Sequence, residues 1–580
     1  MEVIRVPRSK RVSDDRRRRR PAERLLGQAA LRSGGWVALV AVSALAEAVG
    51  TLVLPAVLGR GVDIALKGGA GSGWWAAGTA GVIAVVAAGD ALGQFATGAS
   101  GARGTAWLRR LLCRHVLAVG PRLDRSFPAG DAVSRLVGGT TDAGAAPAAA
   151  VAAVTSTVPA LGAPVALALI DPWLALAFAA GLPPLALVLR AFVRHTSSRA
   201  VRYRQAQGAI AARLLDAIAG ARTIAAAGTV ERESARVLAP MDELRAAGLA
   251  TWQTVRRVMA QGALLVPLLQ AVVLGVGGLE LAAGRISPGG LLAASQYAVL
   301  GSGIGVLIAY LGQLGRARAG AMRIADVLAV PAMDHGRRAL PAGRGALELR
   351  AVTVRQTGQV VLDRLDLVVP AGAIVAVVGR SGAGKSLLAA LAGRLLDPDE
   401  GEVLIDGVPL RELGRGELRR AVQYAFARPA LLGDSIGGAI RFGGTVPAPG
   451  LVEAAARAAC ADSFIRRLPN GYETPLGEVP MSGGEVQRIG LARAFAHAPG
   501  ARLLILDDAT SSLDTVTEMQ VTRALTEQLD QTRLVIAHRA ATAARAGWVA
   551  WLDAGRVRAC GSHRELWTDP EYRATFEPTR

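Results

Sequence analysis

The sequence predicts a helical transmembrane domain of six spans with long cytoplasmic helix extensions, followed by an α/β domain that contains a phosphate-binding loop. Three observations support this fold class. Six apolar segments precede residue 315, each close to the roughly 20 residues that cross a bilayer as a helix. Short β-like runs alternate with helical runs from Ala346 onward. A glycine-rich loop lies between one of those strands and the helix that follows it.

The composition indicates a membrane protein. The chain of 580 residues is 51% hydrophobic and 19% charged, whereas soluble domains contain about a quarter charged residues. Its net charge of +20 is compatible with nucleic-acid binding, but the basic residues concentrate near the N-terminus and between the apolar segments, which favours the positive-inside rule. Aromatic residues are only 4%, too few for base stacking. We therefore expect a lipid membrane, and no nucleic acid, as the partner.

The predicted spans are 36–59, 74–97, 148–170, 173–193, 259–281 and 291–314. An even number of spans places both termini on one side of the membrane. The intervals after the second and fourth spans are long and rich in arginine, so they are predicted to be cytoplasmic. The chain is then a multi-pass plasma-membrane protein with cytoplasmic N- and C-termini. Residues 1–24, with the run Arg16 to Arg20, form a cytoplasmic tail attracted to anionic lipid headgroups.

The long intervals continue the helical pattern of the spans. Leu214, Ile218, Ile224 and Ala225 recur at helical spacing. We expect the spans to extend as helices into the cytoplasm and to end in short turns that can dock on a cytosolic partner.

Two acidic residues interrupt the spans. Glu47 lies near the middle of the first span and Asp90 nearer the cytoplasmic end of the second. An ionisable group inside a membrane is a candidate for a substrate or ion path. The alternative is a carboxylate in a wet central cavity or paired with a neighbouring side chain.

The composition changes after Arg316. Residues 316–330 form a basic amphipathic helix, and 331–345, with its proline, glycine and charges, is a linker. The chain is thus divided into the tail 1–24, a transmembrane domain 25–330, the linker and an α/β domain 346–580. Strands of this domain are predicted at 347–354, 373–378, 503–506 and 534–536.

The glycine-rich loop fits the spacing G-x-x-x-x-G-K-S. Its defining residues are Gly379, Gly384, Lys385 and Ser386. Glycines let backbone N–H groups surround phosphate oxygens, the lysine reaches the terminal phosphates, and the serine can hold Mg²⁺ at the start of a helix. A chance glycine turn before a helix is the alternative interpretation.

Further residues of nucleotide chemistry follow in the same domain. An apolar strand ends at Asp507, where a carboxylate can hold Mg²⁺ through water. About 20 residues earlier stands the run Met481 to Glu485, and Ser512-Leu513-Asp514 and Ile536-Ala537-His538-Arg539 follow. The combination is far more specific than any one of these runs.

With these motifs the chain resembles the ATP-binding cassette superfamily, in its exporter-type half-transporter arrangement of six spans and one nucleotide domain. The resemblance extends from about Leu25 to the end. Residues 130–136 look like the first intracellular helix of the family, 220–224 like the segment near its second coupling helix, and 555–557 with 561–563 like its closing strand and turn.

The resemblance implies a dimer of cassettes in which ATP binding closes the dimer and hydrolysis resets it. The residues implied to bind ATP are Gly379, Arg380, Ser381, Gly382, Ala383, Gly384, Lys385, Ser386 and Asp507, of which Ser386 and Asp507 hold Mg²⁺. The implied catalytic residues are Asp508 and His538, and the D-loop residue is Asp514. The signature Ser482, Gly483, Gly484 and Glu485 acts on the ATP of the partner cassette.

The chain departs from the family pattern mostly around one ATP site. Asp508 stands where the family has the glutamate that polarises the attacking water, and its side chain is one methylene shorter. Gln356 aligns with the adenine-stacking aromatic residue and Ala427 with the glutamine that contacts Mg²⁺. The signature ends in Glu485 instead of glutamine, and the segment 477–480 before it is shortened.

These departures resemble the degenerate-site subunit of a heterodimeric exporter. We therefore predict an ATP-driven exporter subunit, weakly hydrolytic at its own site, that pairs with a second half-transporter to move an amphipathic small molecule, lipid or peptide. The alternatives are a homodimeric exporter with slow ATPase activity and a siderophore-type importer built on the exporter fold. Two further classes remain open: a soluble ATPase acting on nucleic acid, and a membrane scaffold that binds ATP without transport.

Overall fold

The computed structural model describes residues 8–67, 72–125, 127–356, 358–527 and 530–577. The chain forms two compact units. The helical unit comprises Met1–Leu117 and Phe127–Val330, and the α/β unit comprises Ala118–Ser126 and Pro331–Arg580.

The helical unit is built from helices that range from 5 to 48 residues in length. They are α1 (Arg8–Ser33), α2 (Gly35–Leu66), α3 (Ser72–Val119), α4 (Ala129–Ser134), α5 (Thr140–Gly144), α6 (Ala146–Thr155), α7 (Thr157–Ile170), α8 (Pro172–Ala219), α9 (Ala221–Ala227), α10 (Val230–Leu238), α11 (Met241–Ala282), α12 (Pro288–Gly301) and α13 (Ile304–Leu328). A 3₁₀ turn, Gly120–Arg125, follows α3, and a π-helical turn, Arg135–Gly139, lies between α4 and α5. The predicted tail boundary after residue 24 falls inside α1.

Four helical stretches in the described part of the chain are long and apolar enough to cross a membrane: Gly35–Leu66, Gly73–Leu123, Gly130–Ile170 and Leu264–Ala282. The first, second, third and fifth predicted spans coincide with these stretches. The fourth lies within α8, where the side chains of residues 188–193 are outside the described set. The count of six spans stays a prediction.

The sixth predicted span is interrupted by a two-residue turn, and its crossing of the membrane stays a prediction. Helix α12 ends at Gly301 and α13 begins at Ile304. At Gly301 a Cβ atom would lie 2.6 Å from Cζ of Phe178, so the glycine lets the phenyl ring approach the backbone. The hydroxyl of Ser302 donates to the Val299 carbonyl at 2.6 Å and satisfies an acceptor at the helix end. The third predicted span is similarly divided at Ser156, between α6 and α7.

The prediction that the spans extend as helices is confirmed. Helices α3 and α8 each contain 48 residues and α11 contains 42, about twice the length that crosses a bilayer. Helix α8 ends at Ala219 and is followed by Gly220, and the short α9 that comes next has no buried residue.

Helices α2 and α12 approach each other closely at two glycines. A Cβ atom on Gly289 would lie 1.8 Å from the carbonyl oxygen of Gly59, so no side chain fits there. The Asp63 carboxylate accepts hydrogen bonds from Ser287 Oγ at 2.5 Å and from the Gly289 N–H at 2.7 Å. This carboxylate therefore caps the N-terminus of α12 from the end of α2.

The α/β unit contains two sheets. In the antiparallel sheet the order is β2 (Gln359–Val369), β1 (Leu347–Gln356), β4 (Glu400–Ile405) and β5 (Val408–Pro409). In the six-stranded sheet the order is β10 (Arg556–Gly561), β9 (Trp548–Asp553), β3 (Ile374–Gly379), β8 (Thr532–Ile536), β7 (Leu503–Asp507) and β6 (Val422–Phe426). All four strands predicted from the sequence are present, as β1, β3, β7 and β8.

The helices of this unit cover the six-stranded sheet and extend beyond it. They are α14 (Lys385–Ala392), α15 (Arg415–Ala421), α16 (Ile436–Arg441), α17 (Leu451–Ala458), α18 (Asp462–Ile465), α19 (Gly483–Ala496), α20 (Thr515–Glu527), α21 (Ala540–Ala544), α22 (His563–Leu566) and α23 (Pro570–Ala574). One buried core joins the two sheets and α14, and a second joins α16, α17 and α19 to β6 and β7. Strand β7 contributes to both, because it is buried on both faces as parallel central strands are.

The predicted linker is tied to the α/β unit by hydrogen bonds. The N–H groups of Gly336 and Arg338 donate to the carbonyls of Arg411 and Glu412, each at 2.9 Å. Arg394, only 3% exposed, donates to the carbonyls of Asp334 and Leu410. Residues 334–338 therefore form part of this unit.

Candidate active site

The candidate site lies at the carboxyl ends of four adjacent parallel strands. Strands β3, β8, β7 and β6 pair in parallel, so the segments that follow them meet at one edge of the sheet. The phosphate-binding loop follows β3, Ala427 follows β6, Asp508 follows β7, and His538 follows β8 by two residues. Residues more than 100 positions apart in the sequence are in this way brought together.

The loop after β3 has the geometry of a phosphate cradle. Gly382 and Gly384 adopt φ values of 84° and 95°, which side-chain-bearing residues rarely adopt. Helix α14 begins at Lys385 directly behind Gly384, so its N–H groups point towards the loop. The Lys385 ammonium donates to the carbonyls of Gly379 at 2.6 Å and Arg380 at 3.0 Å. Burial lowers the pKa of Lys385, and the nearby carboxylates of Asp508 and Asp507 oppose that shift.

Asp507 ends β7 opposite the start of α14. Ser386 Oγ donates to Asp507 Oδ1 at 2.9 Å, and the Tyr424 hydroxyl donates to Oδ2 at 3.3 Å. Burial raises the pKa of Tyr424 well above its ordinary value, and the neighbouring Asp507 carboxylate adds to the shift. Hydroxyl and carboxylate oxygens in this arrangement are the ligands that Mg²⁺ prefers, so Ser386 and Asp507 fit a magnesium site.

Asp508 has an unusual backbone conformation. Its φ of 53° places it in the left-handed region, which costs free energy for a residue with a side chain. Burial raises the pKa of its carboxyl, and the adjacent His538 imidazole opposes the shift. Ser511 Oγ donates to the Asp508 carbonyl at 3.0 Å and fixes the turn after β7.

The signature residues form the N-terminus of α19. Ser482 is the N-cap: its hydroxyl accepts from the Glu485 N–H at 3.3 Å. The Glu485 carboxylate in return accepts from the Ser482 N–H and hydroxyl, each at 2.8 Å. These hydrogen bonds, the backbone one foremost, lower the pKa of Glu485. Asp514 similarly precedes α20, where it accepts from the N–H groups of Val516 and Thr517.

A cavity of about 720 Å³ collects most of the predicted site residues. Ser381, Gly382, Gly384, Lys385, Ser386, Asp507, His538, Gln356, Tyr424 and Phe426 line it. Asp508, Asp514 and the signature Ser482 to Glu485 are not among its described lining residues. The phosphate loop and the signature of the described chain therefore do not share one cavity.

The comparisons with known proteins agree with this geometry. Residues 37–303 match the family model of the ABC transporter transmembrane region, and residues 362–511 match the family model named ABC transporter. The ABC transporter ATP-binding protein RamA of Streptomyces coelicolor is 48% identical over 540 residues, 93% of this chain and 84% of RamA. The chain belongs to the ABC transporter family.

Further similarities define the type of transporter. An ATP-dependent lipid A-core flippase of Alkalilimnicola ehrlichii is 39% identical over 305 residues, 51% of this chain and 51% of the flippase. The structure of a bacterial Atm1-family ABC exporter with ATP bound matches with a TM-score of 0.77 and 25% identity, covering 93% of this chain and 97% of that one. The transporter is an exporter-type half-transporter whose nucleotide domain binds ATP and couples its hydrolysis to transport. ABC exporters act as dimers in the membrane.

Two residues of the transporter's site were missed by sequence reasoning. Gln487, 2% exposed, donates through Nε2 to the Ala427 carbonyl at 2.7 Å and to Ser511 Oγ at 2.9 Å, and Oε1 accepts from the Ser512 N–H at 2.9 Å. It joins α19 to the loops after β6 and β7. Tyr424 contacts Asp507 from the neighbouring strand. Gln487 stands only two positions beyond the signature, whereas no local pattern singles out Tyr424.

The two acidic residues of the transporter's membrane spans lie at the contact between α2 and α3. A Cβ atom on Gly89 would lie 3.3 Å from the Glu47 backbone nitrogen, so the two helices pack closely there. Asp90 is exposed on the described chain and accepts from Gln94 Nε2 at 2.9 and 3.0 Å. A role in a substrate path stays a prediction.

Proposed function

We propose that this half-transporter is one subunit of a heterodimeric exporter and that its own ATP site hydrolyses ATP slowly. The site consists of the loop Gly379 to Ser386 with Asp507, Asp508 and His538. The signature Ser482 to Glu485 and the D-loop residue Asp514 act on the second site of the dimer. The chain is then divided into the tail 1–24, the transmembrane domain 25–330, the linker 331–345 and the cassette 346–580.

The observation that carries this proposal is the pair of short side chains at the sheet edge. Asp508 follows β7 and Ala427 follows β6, and the two strands are neighbours with Phe426 paired to Asp507. A carboxylate that is one methylene short leaves the attacking water displaced by about 1 Å, which can cost on the order of a hundredfold in rate. The methyl group of Ala427 offers no second polar group to hold that water.

The residues that bind ATP support binding without rapid turnover. The loop glycines and the N-terminus of α14 provide N–H donors for the phosphates, and Lys385 contributes a positive charge beside them. Ser386 and Asp507 would hold Mg²⁺, which neutralises phosphate charge when it is bound. His538 lines the same cavity, where its imidazole can donate a hydrogen bond to the terminal phosphate.

The transported substrate that fits this proposal is an amphipathic small molecule, lipid or peptide. Apolar, alanine-rich helices offer such a molecule a compatible surface, and similarity to a lipid A-core flippase supports a lipid within that class. We also propose that the cassette and both termini are cytoplasmic and that the helices cross the plasma membrane; the arginine-rich intervals support this orientation.

The test is ATP turnover by the purified chain in lipid, without a partner. Four proteins are compared: the unmodified chain, Asp508→Glu, Lys385→Ala as the blank, and Asp530→Glu as a control at an exposed carboxylate. We expect the unmodified chain and Asp530→Glu to bind ATP and to hydrolyse it near the rate of the blank. Brisk hydrolysis by the unmodified chain that Lys385→Ala abolishes would show a working homodimer and refute the proposal.

The partner requirement has its own readout. Where Asp508→Glu raises turnover of the chain alone, the chain forms a homodimeric site and only the short carboxylate limits it, which contradicts an obligate partner. Where Asp508→Glu also stays at the blank rate, the second half of the site has to come from another subunit, as proposed.

A further inference from the structure

Both oxygens of the Asp507 carboxylate are engaged by hydroxyl groups. Ser386, at the start of α14, donates to Oδ1 at 2.9 Å, and Tyr424, on β6, donates to Oδ2 at 3.3 Å. The serine and the aspartate are the residues that fit Mg²⁺. The tyrosine belongs to no motif of the site.

The tyrosine ring is held in place on two sides. It stacks on Phe426, with ring centroids 4.2 Å apart and an interplanar angle of 26°. On the other side it packs against Gly393 at the end of α14, where a Cβ atom would lie 3.0 Å from Tyr424 Cδ2. Any side chain at position 393 would therefore displace the ring. Both aromatic rings line the cavity that contains the phosphate-binding loop.

The Tyr424 hydroxyl also provides a polar group at a sheet edge where Ala427 provides none. Ala427, the residue after β6, has no side-chain oxygen or nitrogen. Of the described side chains that line the cavity, the Tyr424 hydroxyl and Ser386 Oγ are the ones that hydrogen-bond to Asp507. A phenol that donates to one carboxylate oxygen fixes the direction of the other, which faces Ser386.

We propose that Tyr424 is a positioning residue for the metal–nucleotide site: its hydroxyl holds the Asp507 carboxylate in the orientation in which it and Ser386 receive Mg²⁺. The inference rests on the proposed ATP site but not on its turnover or on the partner. It assigns to an aromatic residue of the strand the task of orienting the acidic metal ligand where Ala427 has no polar side chain.

The experiment measures how strongly Mg²⁺ enhances nucleotide binding by the full chain in lipid. The dissociation constant of the fluorescent analogue trinitrophenyl-ATP is determined with saturating MgCl₂ and again in EDTA. The ratio of the constant in EDTA to the constant in MgCl₂ reports the contribution of the metal. Tyr424→Phe removes only the hydroxyl and keeps the stacked ring. We expect the ratio to fall about fivefold, as for the loss of one weak hydrogen bond to a charged group, with metal-free binding unchanged.

The chain offers a matched control. The Tyr472 hydroxyl donates to Asp462 Oδ1 at 2.6 Å, and neither residue is among the described lining of the cavity. Tyr472→Phe therefore removes a phenol–carboxylate hydrogen bond of the same kind and should leave the ratio unchanged. A second variant, Phe426→Leu, removes the stacking partner and should lower the ratio in the same direction as Tyr424→Phe.

Two results would overturn the inference. One is an unchanged or increased ratio in a folded Tyr424→Phe protein. The other is an equal loss of binding with and without metal, which would mean that the tyrosine supports the cavity in general. A failure of the proposed function looks different, because it appears as brisk turnover by the unmodified chain. The fall of the metal ratio in Tyr424→Phe is still expected in that case.

Discussion

Replacing Gln487 by leucine should destabilise the α/β unit by about 3 kcal/mol. The buried amide makes three hydrogen bonds, to the Ala427 carbonyl, to Ser511 Oγ and from the Ser512 N–H. Each is worth roughly 1 kcal/mol net, and the substitution leaves the Ser512 N–H and the Ala427 carbonyl without this partner, which adds about 1–2 kcal/mol. Burial of the leucine side chain stabilises the unit by about 1–2 kcal/mol and offsets that penalty.

The assay is urea unfolding of the full chain in lipid, followed by loss of trinitrophenyl-ATP binding so that only the α/β unit is observed. The control is Gln531→Leu. Gln531 also donates to a backbone carbonyl, that of Ala498 at 2.9 Å, but its buried Oε1 has no hydrogen-bond partner among the described residues, so its replacement should cost less than about 1 kcal/mol. Equal destabilisation by the two substitutions would refute the hydrogen-bond argument.

Two further substitutions test other parts of the fold. Gly289→Ala should lower the melting temperature of the chain strongly, because its Cβ would lie 1.8 Å from the Gly59 carbonyl oxygen. Gly278→Ala, where a Cβ meets no described atom within 4 Å, should be neutral or slightly stabilising. Equal melting temperatures for the two variants would contradict the close packing. Glu485→Gln should flatten the pH dependence of stability. The Ser482 hydrogen bonds lower the pKa of Glu485, so its carboxylate stabilises the fold at pH values above the ordinary pKa of glutamate. This stabilisation is lost as the pH falls below that ordinary value and through the lower pKa of the folded state. If the melting temperatures of the unmodified and Glu485→Gln proteins change with pH in the same way, the charge has no role.

Much of the nucleotide unit could be predicted from the sequence because its signals are local. The strand before Gly379 and the strand that ends at Asp507 are continuous apolar runs, and the loop Gly379 to Ser386 has a spacing that few other functions require. The structure places these segments at one sheet edge. The parallel pairing of β3, β8, β7 and β6 brings them there.

The features that escaped prediction depend on contacts between distant segments. At the break between α12 and α13, Gly301 lies against the ring of Phe178, and the two residues are more than 100 positions apart. Gln487 and Tyr424 gain their partners only when α19 and β6 pack against β7. Periodicity reports which face of a helix or strand is buried, but it does not report which polar atom that face will meet.

Two residues of the site, Ala427 and Asp508, lie beyond the strand ends and outside the paired part of the sheet. Ala427 and Asp508 follow the last paired residues of β6 and β7, and the buried side chains of the two strands lie before them. Such positions can drift while the cassette still folds, binds nucleotide and presents its signature helix to a partner. Under the proposed function, substitutions at positions 427 and 508 alter hydrolysis at one of two sites of a dimer without redesign of the core.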